Sequence, residues 1–158
     1  MEFMEHNTMQ AIDGKQFDKA AERTKWMTDD HVLVKSTGEV RDGGDASWKA
    51  LSQEIYAPLK QHHHYPSYAL AVETGTDTWE MTGLATLFWN LQVPGQGMNL
   101  SGPGGKTWDG AIPSAFKFAY RKDGGEIKIC RTEIFSDTSA ALVAMLKSGM
   151  LKPEDLMK

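Results

Sequence analysis

The chain has 158 residues, 41% of them hydrophobic and 24% charged, with a net charge of −4. That composition describes one globular domain, long enough to bury roughly 70% of the surface its unfolded form exposes. An acidic balance supplies no basic stripe for nucleic acid, no apolar run approaches the roughly 18 residues of a membrane span, and the single cysteine, Cys130, excludes an intrachain disulfide and a Cys-based zinc site.

Glu2, Glu5 and His6 interrupt any apolar leader, which with Cys130 in a strand-like IKICRTEIF points to a reducing, cytoplasmic setting. From about Thr8 to Met27 the text reads as helical in two pieces, broken at Asp13-Gly14, with Phe17, Ala20, Ala21 and Thr24 on one stripe. A short strand follows at His31–Ser36. The turn-rich TGEVRDGGD then leads into a helix from about Ala46 to Lys60, with Asp45 as N-cap and an inward stripe of Trp48, Leu51, Ser52, Ile55 and Leu59.

Four strands come next, at about His62–Glu73, Thr78–Leu91, Ile112–Arg121 and Glu126–Phe135. The first hairpin turns at Thr74-Gly75-Thr76-Asp77 and the last at Asp123-Gly124-Gly125, where glycine accepts the positive φ of a tight turn. Between the hairpins, residues 92–110 are rich in Gly and Pro and read as a flexible loop or lid. A helix from about Thr138 to Lys147 ends at Gly149, and residues 149–158 form a tail that could cover a pocket mouth. The expected fold is α+β: one domain, residues 1–158 with a core from about 9 to 147, in which a cone-shaped, curved antiparallel sheet wraps around N-terminal helices and encloses a pocket.

This order, with AIDGKQFDKA, DDHVLV, KQHHHY and GGEIKICRTEIFSD, resembles the nuclear transport factor 2-like superfamily, and within it the SnoaL-like branch near scytalone dehydratase and the polyketide cyclases. The resemblance implies a cofactor-independent lyase, isomerase or cyclase of secondary metabolism, acting on a hydrophobic, oxygenated small molecule, and a homodimer. It sets Asp13 where the dehydratases hold a catalytic aspartate, and Gln61-His62 at the start of a histidine-bearing strand. Glu133 falls where epoxide hydrolases and some cyclases hold a pocket carboxylate. Lys35 stands where ketosteroid isomerases carry their base. Met81 and Gly83 replace an Arg and an Asp of the epoxide hydrolases, and a second dehydratase histidine is missing near Thr82 and Leu84.

The residues themselves support proton transfer. Asp13 beside His62 or His64 would fix an imidazole tautomer and raise its basicity. Strand alternation puts His62 and His64 on one face and turns His63 away. The expected catalytic set is Asp13, His62, His64 and Glu133, with Lys35, Tyr68, Trp79, Trp89, Phe116, Phe118 and Tyr120 contacting substrate, and with no cofactor and no metal. Each has a plainer role open to it: Asp13-Gly14 as a turn, the histidines as a solvated strand start, the aromatics as core, and Arg131 pairing with Glu133. Zinc or iron on His62 and His64 would need a third ligand such as Glu133 or Glu80. A non-catalytic binding module of the same fold is the rival reading.

Overall fold

The computed structural model describes Asp13, residues 20–93 and residues 99–157. Most of the first expected helix, including its break at Gly14 and the stripe residue Phe17, lies outside the described residues. Asp13 itself is helical, and α1 (Ala20–Trp26) runs without a loop into β1 (Met27–Val34). This strand starts four residues before the His31 expected from the sequence. Distant ion pairs hold the acidic Asp29-Asp30 pair in an extended segment: Arg23 Nη2 lies 2.9 Å from Asp29 Oδ1, and Arg121 Nη2 lies 2.6 Å from Asp30 Oδ1. Arg121 draws the Asp30 carboxyl down to about 2.

A short strand unforeseen in the sequence, β2 (Val40–Asp42), pairs antiparallel with β1. Helix α2 (Gly44–Lys49) then begins after Gly43, whose φ of 97° favours glycine. Asp45 is therefore in the first turn rather than the cap, and it pairs with Arg23 at 2.9 Å. The helix widens into a π-helical turn (Ala50–Ile55) and ends well before Lys60. Pro58 explains the stop, because it denies the helical region to Ala57 and has no N–H to donate. The wide turn closes with Tyr56 N–H donating to Leu51 O at 3.0 Å, which brings Tyr56 into the core beside Leu51.

The long strands β3 (Leu59–Gly75) and β4 (Thr78–Leu91) form the first hairpin, with Asp77 at a φ of 57° in its turn. Of the expected loop, residues 94–98 lie outside the described residues; in the part from 99 onward β5 (Leu100–Ser101) and β6 (Thr107–Trp108) pair with each other. Asn90 and Asp109 fasten them, through Asp109 N–H to Asn90 Oδ1 at 2.7 Å and Leu91 N–H to Asp109 Oδ2 at 2.8 Å. β7 (Gly110–Asp123) and β8 (Glu126–Ser136) make the last hairpin, and α3 (Ser139–Lys147) follows.

The large sheet runs β2-β1-β8-β7-β4-β3 and is antiparallel except where β1 lies parallel to β8. The fold is α+β, as expected, with a mixed and curved sheet. Its inner face carries two core clusters. One joins Leu33, Trp48, Leu51, Tyr56, Trp89 and Leu91 from the helices and sheet; the other stacks Met81, Phe116, Phe118, Tyr120 and Ile129. Burying Leu33 completely contributes about 1.5–3 kcal/mol. No helix among the described residues is long and apolar enough to cross a membrane.

Candidate active site

The two clusters leave a cavity of about 260 Å³ between them. Leu51, Leu59, Trp89 and Ile112 from one cluster and Ala85, Phe116 and Phe118 from the other form apolar walls. Into this space project Tyr56 and His64, with Lys35 and Glu54 and the hydroxyls of Ser114 and Thr132 also on the lining.

The histidines enter through strand register. His62 pairs with Trp89 and His64 with Leu87, and directly opposed residues share a face, so both imidazoles lie on the inner side. His63 pairs with Phe88 on the outer side, where its ring lies 6.4 Å from that of Trp108. Among the described residues β3 is an edge strand, and its outer row of N–H groups has no sheet partner there. Asp13 accepts the one at His64, with Oδ2 3.1 Å and Oδ1 3.2 Å from the backbone nitrogen. A carboxylate in that position lies at the rim of the sheet and is reached from both faces. His64 Nδ1 is 2.6 Å from Oδ1, His63 Nδ1 3.2 Å from Oδ2, and His62 Nε2 3.7 Å from Oδ1.

The contacts of His64 assign its proton. With Nδ1–H donating to Asp13, Nε2 is an acceptor, and Tyr56 O–H donates to it at 3.1 Å. Tyr56 also stacks on His62, ring centroids 4.4 Å apart and nearly parallel at 12°. Burial holds the Tyr56 phenol well above its ordinary value, and the Asp13 charge adds to the effect, so the group is a neutral donor. Tyr56 was not among the expected site residues, because it and His64 lie on opposite sides of a helix-to-strand boundary, across which no single period pairs them.

No family model matches the sequence, and no curated protein does. Solved structures do. The hexachlorocyclohexane dehydrochlorinase LinA-type3 from Novosphingobium barchaimii superimposes with a TM-score of 0.64 at 13% identity, over 85% of this chain and 82% of that one. A scytalone dehydratase-like protein from Novosphingobium aromaticivorans gives 0.61 at 13% identity, over 86% and 80%. An NTF2-like protein with a cystatin-like fold from the same organism gives 0.61 at 18% identity, over 90% and 84%. The chain has the nuclear transport factor 2-like fold.

Within this fold the expected site residues separate by face and depth. Asp13, His62 and His64 come together, and Lys35, Trp89, Phe116 and Phe118 line the cavity with His64. Four others lie outside the lining. A register shift between Pro66 and Tyr68 reverses the parity of β3, so Tyr68 pairs with Leu84 on the outer face and is 56% exposed. Gly83 accommodates that shift, since a Cβ there would come within 2.5 Å of Tyr68 O and of the Phe116 ring. Glu133 alternates with the inward Thr132 and Ile134, and it pairs outside with Arg131 Nε at 2.7 Å. Trp79 and Tyr120 face inward but beyond the cavity, in the second core cluster. Glu80, the other third ligand weighed for a metal, pairs with Lys117 at 3.1 Å.

None of the described residues between 99 and 110 lines the cavity, nor does any of residues 149–157. Lys35 is held by Glu39 at 2.5 Å and Glu54 at 2.8 Å. Burial works to lower its pKa, but those two hydrogen bonds outweigh it and the net direction is upward. His31 is wholly buried behind the lining, its Nε2 3.0 Å from Thr132 Oγ1, and burial pushes it down to about 4.

Proposed function

We propose that the protein is a cofactor-independent acid–base enzyme, a lyase that eliminates water or another β-leaving group from a neutral, largely apolar small molecule. One observation carries this reading: Asp13, His64 and Tyr56 form a hydrogen-bonded chain that opens into a largely apolar cavity. Asp13 holds the His64 tautomer, Nε2 accepts a proton from carbon beside a carbonyl, and the electron pair forms the double bond as the β-substituent departs. Where that substituent is hydroxyl, it leaves as water with the Tyr56 proton. The proton on His64 then returns to the Tyr56 oxygen across the 3.1 Å contact, restoring both groups. Isomerisation and cyclisation would share the first step. The likeness in fold to a dehydrochlorinase and a dehydratase-like protein supports the class of chemistry.

The charge on the lining supports a neutral substrate. Among the described residues of the lining, Lys35 and Glu54 are the charged ones apart from the histidine, and they are paired with each other, so neither is set aside for a carboxylate or phosphate. The apolar walls exclude water and so strengthen the proton transfers. We further infer that a second copy covers the outer face of the sheet. There Tyr68, Leu84 and Phe135 are each about half exposed and lie in one row across the strands, joined through Ala115; sedimentation at micromolar concentration checks it.

The primary test is exchange of the α-protons of α-tetralone into D2O, followed by NMR. The wild-type protein accelerates exchange and His64→Gln does not. Binding of the ketone without exchange in the wild type would favour a non-catalytic pocket.

A further inference from the structure

A single carboxylate surrounded by imidazoles is more than one acid–base pair requires. We propose that Asp13, His62 and His64 form a site for one divalent transition-metal ion, zinc by its donor set, whose occupancy switches the acid–base pair off. The second half of this proposal rests on the function proposed above; the first half does not.

The donors are two imidazole nitrogens and a carboxylate oxygen, all within 4.8 Å of one another. This mixed set suits zinc, whose bonds to nitrogen and oxygen run about 2.0–2.2 Å and set tetrahedral ligand atoms about 3.3 Å apart. The two contacts that Asp13 makes bracket that spacing. Asp13 Oδ1 lies 2.6 Å from His64 Nδ1 and 3.7 Å from His62 Nε2. Seating the ion therefore parts the first pair by about 0.7 Å and draws in the second by about 0.4 Å. The residues are already oriented for it. Asp13 is tied to the His64 backbone, His62 is clamped flat against Tyr56, and the two histidines share a face through β-sheet alternation.

Coordination through His64 Nδ1 requires that nitrogen to lose its proton, which is redistributed to Nε2 with no net release. Nε2–H then donates to the Tyr56 oxygen 3.1 Å away, as ligating histidines commonly donate their second nitrogen to a neighbouring acceptor. The lone pair that accepts a substrate proton is thereby lost, and Asp13 is diverted from its orienting role. Metal and elimination chemistry exclude each other at one cluster.

The experiment titrates zinc chloride into the full chain, stripped with chelator, by calorimetry. One ion per chain is expected, with affinity at least about tenfold weaker in Asp13→Asn and in His62→Gln. Long-range 1H–15N spectra of the wild type, which depend on no variant, should move His64 from the Nδ1–H to the Nε2–H tautomer as zinc saturates. Unchanged affinity in both variants, or an unmoved His64 pattern at saturation, overturns the site. In the ketone exchange assay zinc should abolish turnover and chelator restore it; exchange undiminished at saturating zinc overturns the switch. If the zinc-free protein shows no exchange, the proposed function fails alone, and the calorimetry and spectra still decide the metal site.

Discussion

Two polar clusters reach the same cavity with opposite arrangements of charge. Around Lys35, two cations meet two carboxylates: Lys35 bonds Glu39 and Glu54, and Arg41 bonds the same pair, with Arg41 Nη2 3.1 Å from Glu54. Every formal charge in that quartet has its opposite, and Lys35 and Glu54 shift in the directions that keep both ionised. Around Asp13, one carboxylate serves three imidazoles and a phenol stands behind one of them. A balanced quartet is a fastening between β1, β2 and the helix; an unbalanced cluster has protons to move. The contrast predicts that substitutions in the second cluster act on chemistry and those in the first act on little.

His64→Gln removes the base and is expected to lower α-tetralone exchange by about 10²–10⁴-fold, read as initial rates in D2O. Tyr56→Phe keeps the stacking on His62 but deletes the buried donor, and should cost about 10²–10³-fold in kcat for an eliminating substrate. Asp13→Asn should cost about 10–100-fold, in kcat more than KM, because the ring survives without its fixed tautomer.

His31 tests whether a buried imidazole outside the cluster acts differently. Its folded value of about 4 lies below the ordinary 6.5, so the unfolded chain takes up the proton first. Its contribution to stability is complete above pH 6.5 and is lost as pH falls toward 4, about 3 kcal/mol in all. Urea unfolding midpoints across that window should flatten in His31→Asn. The smallest effect belongs to the quartet: Lys35→Met should leave the exchange rate within about threefold of wild type. A loss rivalling that of His64→Gln would dissolve the contrast.

How much of this was legible follows from what sets each feature. The long hairpins were, because β-rich runs and the glycine turn at Gly124-Gly125 are local signals; so was the shared face of His62 and His64. The meeting of Asp13 with His64, 51 residues apart, entered through resemblance, since no spacing encodes a contact between a helix and a sheet edge. Parity failed where it was interrupted. The irregularity before Tyr68 falls at Pro66-Ser67, where a proline within a strand marks an edge or a bulge; strict alternation passed over that signal, and the shift moved the tyrosine to the outer face. Tyr56 was missed as a hydrogen-bonding partner because a π-helical turn, ended by Pro58, sets where its ring falls.

His63 sharpens the same lesson. Alternation turned it away from its neighbours correctly, yet it still reaches Asp13, because a carboxylate at the rim of an edge strand is open to both faces.

The central claim is that Asp13 fixes His64 with its proton on Nδ1 and its lone pair on Nε2, and the 15N chemical shifts of His64 in the metal-free protein test it most directly. The account predicts a protonated, strongly hydrogen-bonded Nδ1 and an unprotonated Nε2, with the pattern lost in Asp13→Asn. A proton resident on Nε2 at neutral pH in the wild type would contradict it.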